Sequence, residues 1–393
     1  MIRTFTLLCA TMLITFVLGS VHAFSVFIVP LESILQLPRS DISLIYSLAL
    51  VSITLSVFLG YRIYTRLSSW WMTLLVCLCA ATGLQVAANA SSWWQLLLGY
   101  SLLFGLANGV GYGYCLQLAG LEMPKRKGLA MGAVTAAYAI GSIVFAQVFA
   151  RLIEPNSIAT ALQSLSIIII ITGLISAVLL YGLKARYHAE NASNKNAHSV
   201  NYKKHSLLIF WFAYMTSVFA GLMAIGHAAG ITLAKGSSLE WSSMGATMIG
   251  VGSASGGFLA GWMIDRWSAR HFLMGLPLLS AVALIAVSFS SNVEFVIALL
   301  TIIGFSYGAI IAIYPVVISD IFKERGAWAY GRIFIAWGFS GLVAPWFAGL
   351  IFDWQTNYSP ALWLAALIAL TSALLVKVFG AWMSPKAPVK SHD

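Results

Sequence analysis

The sequence predicts an all-α membrane protein in which twelve transmembrane helices form two pseudo-symmetric six-helix bundles. The first observation is composition: of 393 residues, 60% are hydrophobic and only 9% are charged. That is too little charge to cover the surface of a soluble protein of this length. The second observation is repetition, because several motifs recur at a spacing of about 200 residues. Together these features indicate a duplicated bundle of apolar helices.

Apolar runs of about 20 residues, the length that crosses the hydrocarbon core of a bilayer as a helix, occur twelve times. They lie at 6–30, 41–61, 69–89, 92–118, 129–150, 159–183, 206–230, 243–264, 271–290, 294–318, 331–351 and 360–382. The longest polar segment separates six runs from six. We therefore expect a first bundle over residues 1–182, a solvated cytoplasmic linker over 183–205 and a second bundle over 206–385.

The basic residues fall mostly on one side of the predicted membrane. With a cytoplasmic N-terminus, 19 of the 22 Lys and Arg residues lie in cytoplasmic segments, and only Arg39, Arg151 and Lys235 lie on the other side. The positive-inside rule then predicts that both termini are cytoplasmic. The net charge of +10 is explained by this topology and needs no nucleic-acid partner. A cleaved signal peptide would invert the bias, and its apolar core is usually shorter than the first run.

The matched motifs relate the two halves as parallel repeats. A basic residue and a glycine are followed by a second glycine and, six residues later, by an aromatic residue: Gly132 precedes Tyr138, and Gly331 precedes Trp337. Arg66 has its counterpart 200 residues later, and His22 has its counterpart in His227. Such repeats are typical of transporters that bind a solute near the midplane between their halves.

The segment "GWMIDRWSAR", from Gly261 to Arg270, resembles the loop motif of the major facilitator superfamily, Gly-x-x-x-Asp-Arg-x-Gly-x-Arg, with Ser268 in place of the second glycine. The matching first-half segment, "GYRIYTRLSS", has Thr65 where the motif has its acid. Within the superfamily, three stretches resemble the oxalate:formate antiporter and monocarboxylate porter group: "GLANGVGYGYCLQLAGLEMPKRKGLAMG", "AGLMAIGHAAG" and "YGAIIAIYPVVISDIF" with "YGRIFIAWG". The resemblance covers nearly the whole chain and implies alternating-access transport.

Four residues of the loop motif are expected to act in gating: Gly261, Asp265, Arg266 and Arg270. An acid at the C-terminal end of a helix is unfavourable next to the helix dipole, so Asp265 needs positive partners. Arg266 and Arg270 are near in sequence, and the resemblance implies a third partner, the N-terminus of the eleventh helix near Gly331. The alternative is that the segment is only a basic membrane anchor.

His22 and His227 are the two of seven histidines that lie well inside apolar runs. Ionisable groups at membrane depth are costly and usually functional. Histidine titrates near neutral pH, so either residue could carry a coupling proton or attract a carboxylate. The alternative for each is a neutral histidine that is hydrogen-bonded to a neighbouring helix.

Six further residues are candidates for contact with the solute: Asn108 and Tyr112 on one face of the fourth span, Tyr307 and Tyr314 on the tenth, and the repeat-matched pair Tyr138 and Trp337. Anchoring at the membrane interface, where tyrosine is common, is the alternative for Tyr307 and Tyr314. The glycine stripe behind Asn108, at positions 105, 109 and 113, predicts close helix packing rather than ligand contact.

The sequence departs from oxalate-type members of the group, in which the resemblance implies basic residues in helices 8 and 11. Trp337 takes the helix 11 position, and no basic residue precedes Arg266 in helix 8. A dianion would be poorly compensated there. We therefore expect a secondary transporter for a monocarboxylate that enters with a proton. An uncharged or cationic small molecule, imported or exported, is the alternative, and a transporter-like solute sensor is a weaker one.

Other classes of protein are disfavoured by the sequence. It has no HExxH, GxSxG or P-loop motif, so neither an enzyme nor an ATP-driven pump is predicted. The repeated halves and the expected gating motif fit a carrier, which alternates between discrete states, better than they fit a channel. We expect no cofactor and no bound metal. Short loops and a compact length favour a monomer in a bacterial inner membrane.

Overall fold

The fold is described from a computed structural model of the chain, which describes residues 2–64, 66–123, 127–152, 158–187, 204–264, 268–322 and 326–379. Every regular element in these ranges is helical. Two of the predicted gating residues, Asp265 and Arg266, lie outside them. Gly261 lies in a helix, but its immediate surroundings are not described.

The first half of the chain contains six helical spans. Helix α1 (Ile2–Leu18) continues as a 3-10 segment (Gly19–Val26) and ends in the short helix α2 (Ile28–Leu35). The next spans are α3 (Arg39–Tyr64) and α4 (Ser69–Ala88). The fourth span begins with α5 (Trp93–Leu96), passes through a π-helical turn (Leu97–Phe104) and continues as α6 (Gly105–Glu122). Helices α7 (Lys127–Leu152) and α8 (Ile158–Gly182) complete the half.

The second half repeats this pattern with six helices. They are α9 (Lys204–Ala234), α10 (Leu239–Ile264), α11 (Ala269–Phe289), α12 (Val293–Phe322), α13 (Gly326–Gln355) and α14 (Ser359–Phe379). Helix α8 ends at Gly182 and α9 begins at Lys204, and we propose that the residues between them form the linker between two domains.

The prediction of a multi-pass helical membrane protein is confirmed. Within the described residues, eleven helical spans are long and apolar enough to cross a bilayer. The remaining long helix, α10, is 26 residues long; its six glycines and four serines make it less apolar than its neighbours. The predicted first span, 6–30, is correct in place but is not one continuous α-helix, because it changes to 3-10 geometry at Gly19. The segment that follows contains glycine and two serines, which hold an α-helix weakly.

The helices pack in the same pairs in both halves. Helix α1 contacts α6, α7 and α8, just as α9 contacts α12, α13 and α14. Helix α3 contacts α6 as α10 contacts α12, and α4 contacts α8 as α11 contacts α14. The two halves meet along α3 with α13 and along α7 with α10, which are equivalent pairs under exchange of the halves. This is the predicted pair of pseudo-symmetric six-helix bundles.

The helices alternate in direction, so their ends define two faces of the molecule. We call the face that carries Ile2 the N-terminal face and the face that carries Arg39 the opposite face.

The glycine stripe of α6 does pack closely, as expected from the sequence: a Cβ added at Gly105 would lie 3.0 Å from the Ala49 carbonyl oxygen, and one at Gly109 would overlap that of Ile53.

Helices α10 and α12 cross with their backbones in contact. A Cβ at Gly252 or Gly256 would overlap a backbone carbonyl of α12, and a Cβ at Gly304 or Gly308 would overlap a backbone carbonyl of α10. Small residues on both helices allow this approach, which dispersion and Cα–H···O contacts stabilise in a bilayer. The crossing fixes α12, which also carries Tyr307.

Replacing Gly308 by valine is expected to destabilise the second half. The new side chain would overlap the Ser253 carbonyl, which cannot turn away as a flexible side chain can, and overpacking of this kind costs about 1–3 kcal/mol. The measurement is the melting temperature of the purified protein in detergent. Gly275→Val is the matched control, because nothing lies within 4 Å of a Cβ at Gly275. Equal melting temperatures for the two variants would contradict the role of the crossing.

Candidate functional site

The first span crosses α7 at two glycines, and this crossing builds the site. A Cβ at Gly19 would overlap the carbonyl oxygen of Tyr138, and a Cβ at Gly141 would overlap that of Phe16. The two backbones are therefore in direct contact. His22 lies three residues beyond Gly19, in the 3-10 segment, and its ring meets the Tyr138 ring edge-on at a centroid distance of 5.6 Å.

His22 lies between aromatic rings from two helices. Its Nδ1 is 2.7 Å from the Tyr46 hydroxyl of α3, and Tyr138 of α7 flanks the ring. Tyr46 is fully buried, whereas His22 remains partly exposed. A titratable ring is thus held in one orientation with part of its surface open.

Asn108 positions Tyr138. The Tyr138 hydroxyl donates to Oδ1 of Asn108 over 2.9 Å, and Nδ2 of Asn108 donates to the Leu18 carbonyl over 2.6 Å. Leu18 is the last residue of α1 before the 3-10 segment, where a carbonyl loses its helical partner. Asn108 is fully buried, and both of its amide atoms are used inside the protein. Tyr112 lies on the other side of Tyr138, with ring centroids 4.9 Å apart and its hydroxyl 3.2 Å from that of Thr135.

The second half contributes Tyr307 and Trp337. The indole Nε1 of Trp337 donates to the Tyr307 hydroxyl over 2.9 Å, and Phe334 stacks on the indole at 5.2 Å. The Tyr307 ring rests on Gly221 of α9. The Tyr307 hydroxyl lies within electrostatic range of the hydroxyls of Tyr46 and Tyr138, across the boundary between the halves.

The aromatic site is the name used below for seven side chains: His22, Tyr46, Asn108, Tyr112, Tyr138, Tyr307 and Trp337. None of the hydrogen bonds or ring contacts described for them involves Lys or Arg. Arg332 of α13 lies on the helix stripe of the exposed residues Ile335 and Phe339, away from Trp337. Within the described residues, the site offers neutral hydrogen-bonding groups, aromatic faces and one titratable ring.

Two predicted site residues lie outside this group. Tyr314 is fully buried within the second half, with its ring 4.3 Å from that of Tyr214. His227 is also fully buried, and both of its ring nitrogens are hydrogen-bonded: Nδ1 to the Tyr358 hydroxyl at 3.0 Å and Nε2 to the Pro345 carbonyl at 2.7 Å. Both ring nitrogens of His227 are therefore used inside the protein. The Tyr314 hydroxyl is buried, and no hydrogen-bond partner is described for it.

His227 belongs to an ion cluster near the opposite face, which we call the Arg39 cluster: Glu32, Arg39, His227, Asp353 and Tyr358. The Arg39 guanidinium pairs with Glu32 through Nε and through Nη2, the latter at 2.8 Å from Oε2, and its Nη1 donates to the Tyr358 hydroxyl over 3.0 Å. The Asp353 carboxylate accepts the backbone N–H groups of Arg39 and Ser40 at 2.9 and 2.8 Å. Arg39 also lies 3.7 Å above the Phe352 ring and is only 8% exposed.

The Arg39 cluster is the part of the arrangement that the sequence analysis missed, together with Tyr46. Glu32 and Arg39 flank a short polar break and could have been paired by proximity. Asp353 could not, because 314 residues separate it from Arg39. Asp353 accepts the first N–H groups of α3, the usual place for an acid at a helix N-terminus.

The contacts between the halves reach from the opposite face to just past the middle of the molecule. Gly349, Gly341 and Gly338 of α13 pack in turn against Ser43, Leu50 and Thr54 of α3. On the other seam, Gln147 of α7 donates to Thr247 of α10 over 2.5 Å. Near the N-terminal face, nothing lies within 4 Å of a Cβ placed at Gly132 of α7 or Gly331 of α13. The halves are therefore closed together at the opposite face.

The predicted gating motif, from Gly261 to Arg270, lies only partly within the described residues. Arg270 is exposed on the N-terminal face, where its Nη2 donates to the Lys377 carbonyl over 3.1 Å. Because Asp265 and Arg266 lie outside the described residues, the gating role of the motif stays a prediction.

A sequence profile described as the Major Facilitator Superfamily matches residues 7–257 and 206–392. The chain belongs to this superfamily. Its members are secondary transporters, so this transporter is not an enzyme, and the fold expected from the loop motif and the repeated halves is the fold found.

Two relatives cover much of the transporter. It is 24% identical over 348 residues to the uncharacterized MFS-type transporter YhjX of Escherichia coli (strain K12). The alignment covers 85% of each protein. It is 23% identical over 278 residues to the oxalate:formate antiporter of Oxalobacter formigenes. This alignment covers 65% of this chain and 63% of the antiporter. The second similarity supports the distant relationship expected from the sequence.

Solved transporters share the fold. A D-xylose-proton symporter superposes with a TM-score of 0.72 at 14% identity, covering 94% of this chain and 96% of that one. The xylose transporter XylE from E. coli, in a partially occluded inward open conformation, gives a TM-score of 0.70 at 13% identity, covering 96% and 99%. At these identities the likeness establishes architecture and not substrate.

Proposed function

We propose that the transporter carries a small monocarboxylate together with a proton, and that the solute binds in the aromatic site. The observation that supports this is the chemistry of the site: hydroxyl and indole donors, aromatic faces and a partly exposed histidine, His22, held by Tyr46. His22, Tyr112, Tyr138, Tyr307 and Trp337 are the proposed contacts. Asn108 acts through Tyr138, because both of its amide atoms are already bonded.

The charge of the site favours one negative charge with a proton over two negative charges. A carboxylate in a low-dielectric site needs a compensating charge or it is expelled. His22 can supply that charge by taking up a proton, and the tyrosine hydroxyls can donate hydrogen bonds to the carboxylate. A dianion would need a second cation, and none of the hydrogen bonds described for the side chains of the site comes from one. The similarity to the oxalate:formate antiporter supports a small carboxylate.

We further propose that the N-terminal face is cytoplasmic, as the distribution of basic residues predicts. The opposite face is then the outer face, and the halves are closed there by the contacts between α3 and α13. The structure then corresponds to an inward-facing state, in which the aromatic site communicates with the cytoplasm.

An uncharged small molecule is the second candidate, because tyrosine hydroxyls and an indole also bind hydroxyl or amide groups of neutral solutes. The two candidates differ in one measurable property. Uptake of a neutral solute through a site whose histidine only donates hydrogen bonds would not depend on the proton gradient.

The proposal is tested by uptake of radiolabelled pyruvate, lactate and formate into proteoliposomes. With the outside near pH 5.5 and the inside near pH 7.5, initial uptake is expected to rise several-fold over that at equal pH, because the inward proton gradient drives a solute that enters together with a proton. His22→Asn keeps a neutral partner for Tyr46 but cannot carry the proton. We expect this variant to lose the stimulation by acid.

The control for this experiment is His271→Asn, which removes an exposed histidine of α11 outside the aromatic site. It should retain the response to acid. Protein-free liposomes correct for diffusion of the undissociated acid. If His22→Asn responds to the gradient as the unmodified transporter does, His22 does not carry the coupling proton. If no monocarboxylate is taken up but a neutral solute is, the second candidate holds.

A further inference from the structure

We propose that the Arg39 cluster is a proton-controlled latch: it holds the opposite face closed while His227 is neutral, and protonation of His227 releases it. This inference deepens the proposed function and rests on it, since it supplies a step at which proton uptake changes the conformation. It concerns a group distinct from the aromatic site, because His227 has both ring nitrogens bonded inside the cluster.

The cluster joins the two halves directly. Glu32 and Arg39 come from the first half, on α2 and α3, whereas His227, Asp353 and Tyr358 come from the second half. Every bond from Arg39 to Tyr358 or Asp353 therefore crosses the boundary that must part when the opposite face opens. Arg39 is the centre of the cluster, because it also pairs with Glu32 within its own half.

All hydrogen bonds around His227 are satisfied together when the ring is neutral and carries its proton on Nε2. The Pro345 carbonyl can only accept, so Nε2 of His227 must carry a proton and donate it. Arg39 can only donate, so the Tyr358 oxygen accepts from Nη1. The Tyr358 hydroxyl then has its own proton free to donate, and Nδ1 of a neutral His227 is the acceptor at 3.0 Å. A continuous chain runs from Arg39 through Tyr358 and His227 to Pro345.

A second proton on His227 breaks this chain. It would sit on Nδ1, which could then only donate, so the Tyr358 oxygen would face two donors and its own proton would lose its acceptor. A buried donor without a partner is unfavourable, and the added charge would lie in a site closed to water. The loss falls on the closed state alone, because water satisfies these groups once the halves separate.

The charges that face His227 from the surrounding helices act in opposite directions. Arg39 of α3 opposes a proton on the imidazole, and Asp353 of α13 favours it. Glu32 of α2 and Asp353 are both already engaged, with the guanidinium of Arg39 and with the N-terminus of α3. The neutral hydroxyl of Tyr358 is the group in contact with Nδ1, and the Tyr46 ring of α3 lies beside the neighbouring Gly226. Burial of the imidazole and the direction of its hydrogen bonds, more than net charge, therefore keep His227 neutral in the closed structure.

Linkage then sets the direction of the pH effect. His227 is neutral in the closed state. In the open state its imidazole is exposed to water, where histidine takes up its second proton near pH 6.5. Acid therefore favours opening of the opposite face. At neutral pH the latch is closed, as in this structure.

The test is the distance between spin labels on the opposite face, measured by pulsed EPR without substrate. Labels are placed by Ser91→Cys in the first half and Ser291→Cys in the second, both at exposed positions. The four native cysteines, which are all free, are first replaced by alanine. Lowering the pH from about 7.5 to about 5.5 is expected to increase the population with the longer distance.

Two variants decide the mechanism. His227→Gln stays neutral at both pH values and is expected to keep the short distance at both. Tyr358→Phe keeps the histidine but lacks the bridging hydroxyl, and it is expected to show more of the long distance at neutral pH. If His227→Gln responds to acid as its parent does, His227 is not the sensor. If it does not fold, Tyr358→Phe carries the test, and a distance distribution equal to the parent's would overturn the latch.

Uptake measured in parallel separates this inference from the proposed function. Proton-driven uptake with no change of distance between the two pH values would overturn the latch and leave the proposed function intact. A distance that responds to acid, with its response lost in His227→Gln, would support the latch even if uptake proved independent of protons.

Discussion

Replacement of Gly141 by valine is expected to abolish transport. Gly141 lies where α7 touches the backbone of α1, and any Cβ there overlaps the Phe16 carbonyl oxygen. The two helices would have to separate, and the neighbouring pair of Gly19 with the Tyr138 carbonyl would be lost with them. Overpacking costs about 1–3 kcal/mol, which corresponds to a change of about 5- to 150-fold in an equilibrium. Because this crossing places His22 against Tyr138, the damage falls on the aromatic site.

The measurement is initial uptake together with the melting temperature in detergent. Gly132→Val is the matched control for stability, because it lies on the same helix and has nothing within 4 Å of its added Cβ. We expect the melting temperature to fall for Gly141→Val and to stay near that of the unmodified transporter for Gly132→Val. Gly141→Ala should lie between them. If Gly141→Val binds and transports normally, the crossing does not build the site.

The architecture could be predicted from the sequence because its determinants are local. A run of apolar residues long enough to span the bilayer marks each helix without reference to its neighbours, and the spacing of repeated motifs gives the number of helices in each half. The change from α to 3-10 geometry at Gly19 was not predicted. The glycine and two serines of this segment weaken an α-helix, but the contact of Gly19 with Tyr138, more than 100 residues away, cannot be read from a window of sequence.

The candidate site was predicted only in part, because some of its features depend on local spacing and others on distant contacts. The i, i+4 spacing of Asn108 and Tyr112 places both on one face of a helix, and the structure brings that face to Tyr138. The assignment of contact residues itself stays a prediction. Tyr46 looks like any other tyrosine in an apolar run, and nothing in its local sequence distinguishes it. The partners of Arg39 depend on how two bundles dock, which a single sequence does not state.

Replacement of Arg39 by glutamine is expected to slow uptake at least tenfold. It leaves Glu32 without its partner and Tyr358 without its donor. Removing one member of a buried ion pair costs about 3–5 kcal/mol, and here the closed form of the opposite face bears that cost. A carrier must close one face before it opens the other, so a shift of this size leaves most molecules open at the opposite face and unable to complete a cycle.

Two controls separate the ion pair from a general effect of charge. Arg151→Gln removes an exposed arginine of α7 that lies on the same face, and it should transport normally because surface charges contribute little. The double variant Glu32→Gln with Arg39→Gln removes both members of the ion pair, so neither charge is left without its partner. It should therefore transport faster than Arg39→Gln alone, giving a coupling free energy between the two sites. Equal uptake by Arg39→Gln and Arg151→Gln would show that the two bundles are held together elsewhere along α3 and α13, where Ser43, Leu50 and Thr54 make contacts that involve no titratable group.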